Sequence, residues 1–478
     1  MQIIEKKSSK GSWKTAFSQP GQEFPLTPLP ILEGKIPQGL RGTLYRNGAA
    51  RLERGGMRVG HRFDGDGAIL AVHFTDVGAT GVYRYVQTAG YQEESAAGKF
   101  LYGNYGMTAP GPFWNQWSRP VKNVANTSVL PLPDKLLALW EGDNPYALDL
   151  LTLETQGLDD LKGTLPPKEC YSAHPKVDYY TGEIFNFGLK LEPNATLVVY
   201  KSDFTGKIIQ RAKFPLKCSP ILHDFVLTEK YLVFVLPPVR INLWPIFFGF
   251  GTVYSSSNWQ PQLGTEIIVI DRENLSLVSR SLTEPWFQWH FSNGYVDDSG
   301  LVVVNLARYA DFRTNKYLQE MATGNNQTSA ETTLTELHIE PQTGKVKKTE
   351  VLLDRTCELL SVPQQQVGKA SRYTYMNLFR QGTDIGKEIL NGIGCFDRLT
   401  ETLQEAIFDD GCYPSEPIHA HSQEDPAEGW ILTIVYDGNN HQSEVWIFDS
   451  DRLDDEPVCK LGLPQVIPHS FHGTWKPA

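Results

Sequence analysis

Chemistry in this chain is most readily carried by its histidines, of which there are eleven. A neutral imidazole binds metals and carries protons near neutral pH. A single histidine is most often a satisfied or exposed side chain with no role, so sequence context has to sort them. His174 in SAHPK, His223 in PILHDF, His290 in WFQWHFSNG and His472 in SFHGTW are each flanked by small, aliphatic or aromatic residues, at or near a strand end. His73, His338 and His441 stand among polar or alternating residues. His419 and His421 form an HxH pair, whose rings point the same way on a strand. Spacing alone leaves that pair open as a competing metal site. Residues 468–475, PHSFHGTW, carry His469 and His472 close to the end of the chain, where polar, frayed sequence is the norm. That apolar ending is expected to fold back into the body of the protein.

The four favoured histidines lie far apart, and no local motif such as HExxH joins them. Four neutral imidazoles converging on one point would bind a divalent first-row metal such as iron, zinc, copper or nickel. Their own first shell would leave its charge uncompensated, which calls for carboxylates that accept the other ring N–H and hold the tautomer. Glu141 in LLALWEGDNP, Glu358 in RTCELLSV and Glu416 in YPSEPIHAH stand in apolar or strand-end contexts that suit this. Each also reads as an ordinary surface or hairpin-end carboxylate.

Such convergence demands a closed scaffold. Short runs rich in Val, Ile, Tyr, Phe and Thr recur along the chain: GTLYRNG, AILAVHF, GVYRYVQTAGY, LLALWEG, TLVVYKS, YLVFVLP, EIIVIDR, LVVVNLARY and WILTIVYD among them. Asp-Gly, Asn-Gly, Asn-Pro and Thr-Gly turns separate them. IEPQTGKV and VYDGNNHQSEVWIFD read as hairpins. ETLQEAIFDD (401–410) and RYADFRTNKYLQEMA (308–322) are the main helical candidates. This is an antiparallel all-β pattern, and at this length a propeller is the expected closed form, seven blades giving roughly 60–70 residues each. No WD or kelch repeat marks the blades, so blade number does not follow from the residues. Residues 1–35 are polar and Pro-rich and read as a surface arm. Residues 36–478 read as one unit without a linker.

The net charge of −11 and pI of about 5.5 argue against nucleic acid as a partner, since a phosphate-binding surface needs a clustered Lys/Arg stripe. The six cysteines show no CxxC spacing and read as reduced thiols of an intracellular protein. MQIIEKKSSKGSWK lacks the apolar segment of a secretory leader. A cytoplasmic protein is therefore expected. No stretch reaches the roughly 18 apolar residues of a spanning helix. Residues 241–253, INLWPIFFGFGTV, come closest, and read either as core or as an exposed apolar patch at a membrane interface.

Several stretches taken together carry a resemblance: LYRNG, HRFDGDGAI, KNVANTSV, LLALWEG, SAHPK, ILHDF, WHFSNG, CELLSVPQQQVG and FHGTW, in this order. The chain resembles the carotenoid cleavage oxygenases, from about residue 42 to its end, and looks most like the cyanobacterial members. The resemblance implies an all-β, seven-bladed propeller, with a few helices and loops doming over an axial Fe(II). It implies His174, His223, His290 and His472 as ligands, with Glu141, Glu358 and Glu416 buttressing three of them. It implies that Thr127 stands near the metal, its methyl shielding an open position. His469, His419 and His421 fall outside the ligand pattern. One departure is visible: after His290 the family usually continues with Asn-Ala, an aromatic and an acid, whereas here Asn293-Gly294-Tyr295-Val296 follow. Trp289 stands where Phe is common, which should narrow the pocket wall.

The implied reaction is O2-dependent cleavage of a double bond in a carotenoid or apocarotenoid, giving aldehyde or ketone products. The polyene is electron-rich, and aromatic faces would steady a developing cation. Phe63, Trp140, Trp289, Phe291, Phe471 and Trp475 are offered for this, against the reading that they are ordinary propeller core. An apolar, membrane-dissolved substrate raises the interest of residues 241–253 and 112–117 as a rim for peripheral membrane contact. The same scaffold and metal would also suit isomerisation or cleavage of a stilbene-like phenylpropanoid. A binding module and a zinc hydrolase are further alternatives.

Overall fold

Short apolar strands cut by tight turns bury both faces best as antiparallel sheets stacked face to face. The computed structural model, which describes residues 11–478 apart from 120, 191 and 426, shows seven such sheets in a ring. The second blade begins at Ser128–Pro131, the third at Lys176–Val177, the fourth at Val226–Leu227, the fifth at Phe291–Val296 and the sixth at Cys357–Ser361. Each then runs outward strand by strand. The seventh holds Cys412–Pro414, Ile418–His421, Gly429–Asp437, Gln442–Asp449 and Cys459–Gly462. The first is closed by both ends of the chain. Its Gly42–Arg51 strand pairs antiparallel with the final strand, Gly473–Pro477, setting Arg46 opposite Gly473 and Gly42 opposite Pro477. Closure in this way leaves no open sheet at the seam.

Residues 1–10 of the expected arm lie outside the described residues. In the rest of that segment, Phe24–Pro28 pairs with Gly78–Tyr85 of the first blade and Ile31–Gly34 with Cys459–Gly462 of the seventh. Trp13, Ala16 and Phe17, on the 3-10 turn Ser12–Phe17, are buried.

Both expected hairpins form: Thr332–Ile339 pairs with Val346–Leu353, and Gly429–Asp437 with Gln442–Asp449. Of the two helical candidates, one forms, at Arg313–Thr323. The other is corrected: within residues 401–410, Thr402–Glu405 is the outer strand of the sixth blade, paired with Gly392–Asp397. There a ladder of backbone hydrogen bonds outweighs weak helical propensity. Residues 241–253 form no buried strand pair. They include two short helical turns, Leu243–Phe247 and the start of Val253–Ser256. Among the described residues no helix is long and apolar enough to cross a membrane.

The core is distributed between blades. Val233, Val235 and Ile267 of the fourth blade, for example, pack on Phe291, Val302 and Val304 of the fifth. Gly294 makes that contact possible, because a Cβ there would lie 2.2 Å from Cγ1 of Val226. Its neighbour Asn293 donates to the carbonyls of Gln366 and Lys369 and accepts from Gly368 N–H. Asn293 thus locks the fifth blade to the loop that carries VPQQQVG.

Candidate metal centre

Strands that open the first and second, fourth and fifth, fifth and sixth, and seventh and first blades touch around the axis, and residues preceding or opening these inner strands converge at one level. His174 lies two residues before Lys176, His223 three before Val226, His290 immediately before Phe291, and His472 immediately before Gly473. The third, fourth, fifth and first blades each bring one imidazole. The other three blades bring the carboxylates: Glu358 on the first strand of the sixth, Glu416 between Cys412–Pro414 and Ile418–His421 of the seventh, and Glu141 just after Leu136–Leu139 of the second.

One nitrogen from each of the four histidines lies within 4.8 Å of all the others. Nε2 of His174 and Nε2 of His223 are 2.9 Å apart, and Nε2 of His223 and Nε2 of His290 are 3.2 Å apart. The carboxylates decide what these nitrogens carry. Nδ1–H of His472 donates to Oε1 of Glu416 at 2.9 Å, and Nδ1–H of His290 donates to Oε2 of Glu358. Nδ1 of His223 lies 3.0 Å from Oε1 of Glu141, although that oxygen forms no well-aligned hydrogen bond. A small rotation of this partly exposed carboxylate would align the pair. No carboxylate pairs with His174 among the described residues. With the proton held on Nδ1, the inward nitrogens present lone pairs. Lone pairs at such separations repel unless a cation lies between them. Neighbouring ligands bound at about 2.0–2.1 Å to one ion would stand about 3 Å apart, which these separations match. The donor set therefore fits a metal.

Burial favours the neutral, lone-pair form in two of the four imidazoles. Burial, followed by the three neighbouring imidazoles, holds His174 well below the ordinary histidine range. Burial likewise pushes His472 down to about 4, against the pull of Glu416. His290 is also buried, but the charge and hydrogen bond of Glu358 outweigh that and raise it. Glu416 is held low despite burial, by His472 and by Arg46, whose Nη1 lies 2.8 Å from its Oε2. Gly473 N–H donates to the same oxygen. A buried carboxylate with this many partners is fixed in place.

An apolar cavity of about 480 Å3 opens onto the cluster. Phe63, Trp140, Trp289 and Phe471 line it, as do Thr127, Glu141, Glu358, His223, His290 and His472. The Thr127 hydroxyl donates to Oδ1 of Asn126 at 3.0 Å, and the Thr127 carbonyl accepts from His472 N–H. Two expectations are corrected here. Phe291 does not line the cavity. It follows an inward-facing His290 on a strand, so alternation turns it into the core between the fourth and fifth blades. Trp475 packs on Phe74 in the core between the first and seventh blades. His469 is buried among Phe17, Tyr413 and Tyr436 rather than in the cluster. The HxH pair is split between partners: His419 stacks on Tyr375, and His421 meets Tyr179 edge-on.

Other cavity residues escaped sequence reasoning. Arg62 comes from the connection between Gly42–Arg51 and Asp66–Thr75 within the first blade, Asn104 and Tyr105 from the segment between the first and second blades, and Tyr317, Leu318 and Met321 from the Arg313–Thr323 helix. Nothing local distinguishes them. Arg46 was legible in principle, since an arginine inside an apolar strand, LYRNG, calls for a buried counter-charge.

The sequence pattern of the retinal pigment epithelial membrane protein (RPE65) family matches residues 17–477. The chain belongs to that family, the carotenoid cleavage oxygenases. It is 30% identical to the apocarotenoid-15,15'-oxygenase of Synechocystis over 98% of this chain and 96% of that one. It is 27% identical to the isoeugenol monooxygenase of Pseudomonas nitroreducens, covering 93% and 94% of the two chains. Among solved structures, cobalt-substituted Synechocystis apocarotenoid oxygenase superposes with a TM-score of 0.89 at 29% identity, covering 98% of each chain. The seven-bladed fold is thus that of a known oxygenase.

Proposed function

We propose that the protein is a non-haem Fe(II)-dependent dioxygenase that cleaves a double bond in the polyene chain of a carotenoid or apocarotenoid. The observation that carries this is four inward imidazole nitrogens at the wall of an apolar cavity. His174, His223, His290 and His472 would hold the iron, with Glu141, Glu358 and Glu416 fixing three of the rings. Bound there, Fe(II) supplies O2 activation beside the substrate. The cobalt-substituted form of a relative supports a metal in this fold, and apocarotenoid- and carotenoid-cleaving relatives support the substrate class.

The chain's own residues do the rest. The carboxylates keep the Nδ1 protons away from the reacting centre. With its hydroxyl turned to Asn126, Thr127 presents a methyl that blocks one approach. Phe63, Trp140, Trp289 and Phe471 exclude water, hold the flat polyene, and offer faces to positive charge developing along it. Residues 36–478 act as one oxygenase unit, with the preceding segment laid across the first and seventh blades.

Peripheral membrane contact belongs to the same reading. Trp244, Phe247, Phe248 and Phe250 are exposed, as are Phe113, Trp114 and Trp117. The indole N–H of Trp117 donates to the Phe247 carbonyl at 2.8 Å, which joins the two segments into one apolar patch. Ile241, Val253 and Val121 beside them line the cavity, so the patch surrounds a path for a substrate leaving a bilayer.

The test is incubation of Fe(II)-loaded protein with β-carotene, zeaxanthin and apo-8′-carotenal under 18O2, with mass analysis of products. Labelled aldehydes or ketones are expected. An unlabelled geometric isomer as sole product would replace cleavage by isomerisation. Turnover of isoeugenol or resveratrol alone would move the substrate to phenylpropanoids, the class named for two relatives.

A further inference from the structure

Among the charged residues lining the cavity, three are accounted for. Glu141 and Glu358 face imidazoles, and Lys190 pairs with Glu192 outside. Arg62 is different. It is buried and has no carboxylate partner among the described residues. Its guanidinium lies over the ring of Phe471, 4.4 Å from the centroid, with Phe17 at 5.4 Å. Nη2 donates to the carbonyls of His469 and Ser470. Nε is buried without an acceptor. Burial lowers the guanidinium to about 10, so it stays charged at neutral pH.

A buried cation without a counter-ion is costly. Two aromatic faces and two carbonyls offset part of that, and neither requires an arginine at this position. The cost is repaid when an anion or a strong acceptor binds, because a planar fork with free N–H groups suits a carboxylate.

Resting on the reading of the cavity as a polyene site, we infer that Arg62 selects substrates whose chain ends in a carboxylate, pairing with that end group while the polyene lies along Phe63, Phe471 and Trp289. The preferred substrate class is then an acid-ended apocarotenoid. Arg62 is a specificity determinant, and does no chemistry at the cleaved bond.

The test is equilibrium binding of all-trans-retinoic acid and all-trans-retinol to the Fe(II)-loaded protein under anaerobic conditions, read by quenching of tryptophan fluorescence. The two probes share a polyene and differ in the end group. Wild type should bind the acid about ten- to a hundred-fold more tightly, as a charge-assisted hydrogen bond in a buried site gives. In R62M the preference should vanish, and in R62K part of it should return. Equal affinity of wild type for the two probes would overturn the inference and needs no variant to fold. So would an undiminished preference in R62M. Because no turnover is involved, absence of cleavage products in the incubation above would strike the proposed reaction and leave this result standing.

Discussion

Nδ1 of His472 donates to Oε1 of Glu416 at 2.9 Å, while the other carboxylate oxygen meets Nη1 of Arg46 at 2.8 Å. One buried carboxylate thus ties the last imidazole of the cluster to the strand that closes the ring. Glu416→Gln should loosen both. Loss of an outer-shell partner of a metal-bound histidine typically lowers metal affinity about 10–100-fold. Metal titration followed by elemental analysis reads this directly. Affinity within a factor of two of wild type would remove Glu416 from the site.

His174 and His469 give the sharpest contrast between a ligand and a buried bystander. His174→Ala should abolish stoichiometric metal binding. His469→Gln should keep it, because His469 sits among Phe17, Tyr413 and Tyr436. Metal retained in the first variant or lost in a folded second variant would reverse the assignment.

His469 also sets a pH dependence. Burial, then the charge of Arg62, holds it neutral down to about 3, against about 6.5 in an unfolded chain. Between those values the unfolded state takes up a proton that the folded state refuses, so stability falls as pH falls below about 6.5. The slope from this one group is about 1.4 kcal/mol per pH unit at most. His469→Gln should lose less stability than wild type between pH 7 and pH 5, measured as unfolding midpoints in urea. Parallel pH profiles for the two proteins would contradict this.

The patch built from Trp244, Phe247, Phe248 and Phe250 with Phe113, Trp114 and Trp117 is testable by polarity alone. Serines at Ile246, Phe247, Phe248 and Phe250 should weaken co-sedimentation with liposomes at least ten-fold and slow cleavage of liposome-borne substrate. Detergent-dispersed substrate should be affected far less. Unchanged liposome binding would rule the rim out.

Gly294 tests packing between blades. Alanine there places a methyl against Cγ1 of Val226, and overpacking of this kind costs about 1–3 kcal/mol. A clear drop in unfolding midpoint is expected, together with weaker metal binding, since His290 lies on the same blade. A variant as stable as wild type would show that the fourth and fifth blades can part.

What the sequence determined by itself was the local layer of this protein. Alternating apolar residues and Gly-rich turns specify strands and hairpins, because those signals act over a few residues. The histidines with apolar neighbours at strand starts were legible for the same reason, as was the need for carboxylates beside them. Tertiary structure decided the rest. Only ring closure brings blades one, three, four and five to a single point, and only pairing with Gly392–Asp397 makes a strand of Thr402–Glu405. The direction of Phe291 away from the cavity depends on which way His290 faces. Arg62 could not be singled out in HRFDGDG, because its meaning lies in having no counter-ion among the described residues. That lack exists only once Phe17, Phe471 and the carbonyls of His469 and Ser470 have folded around it.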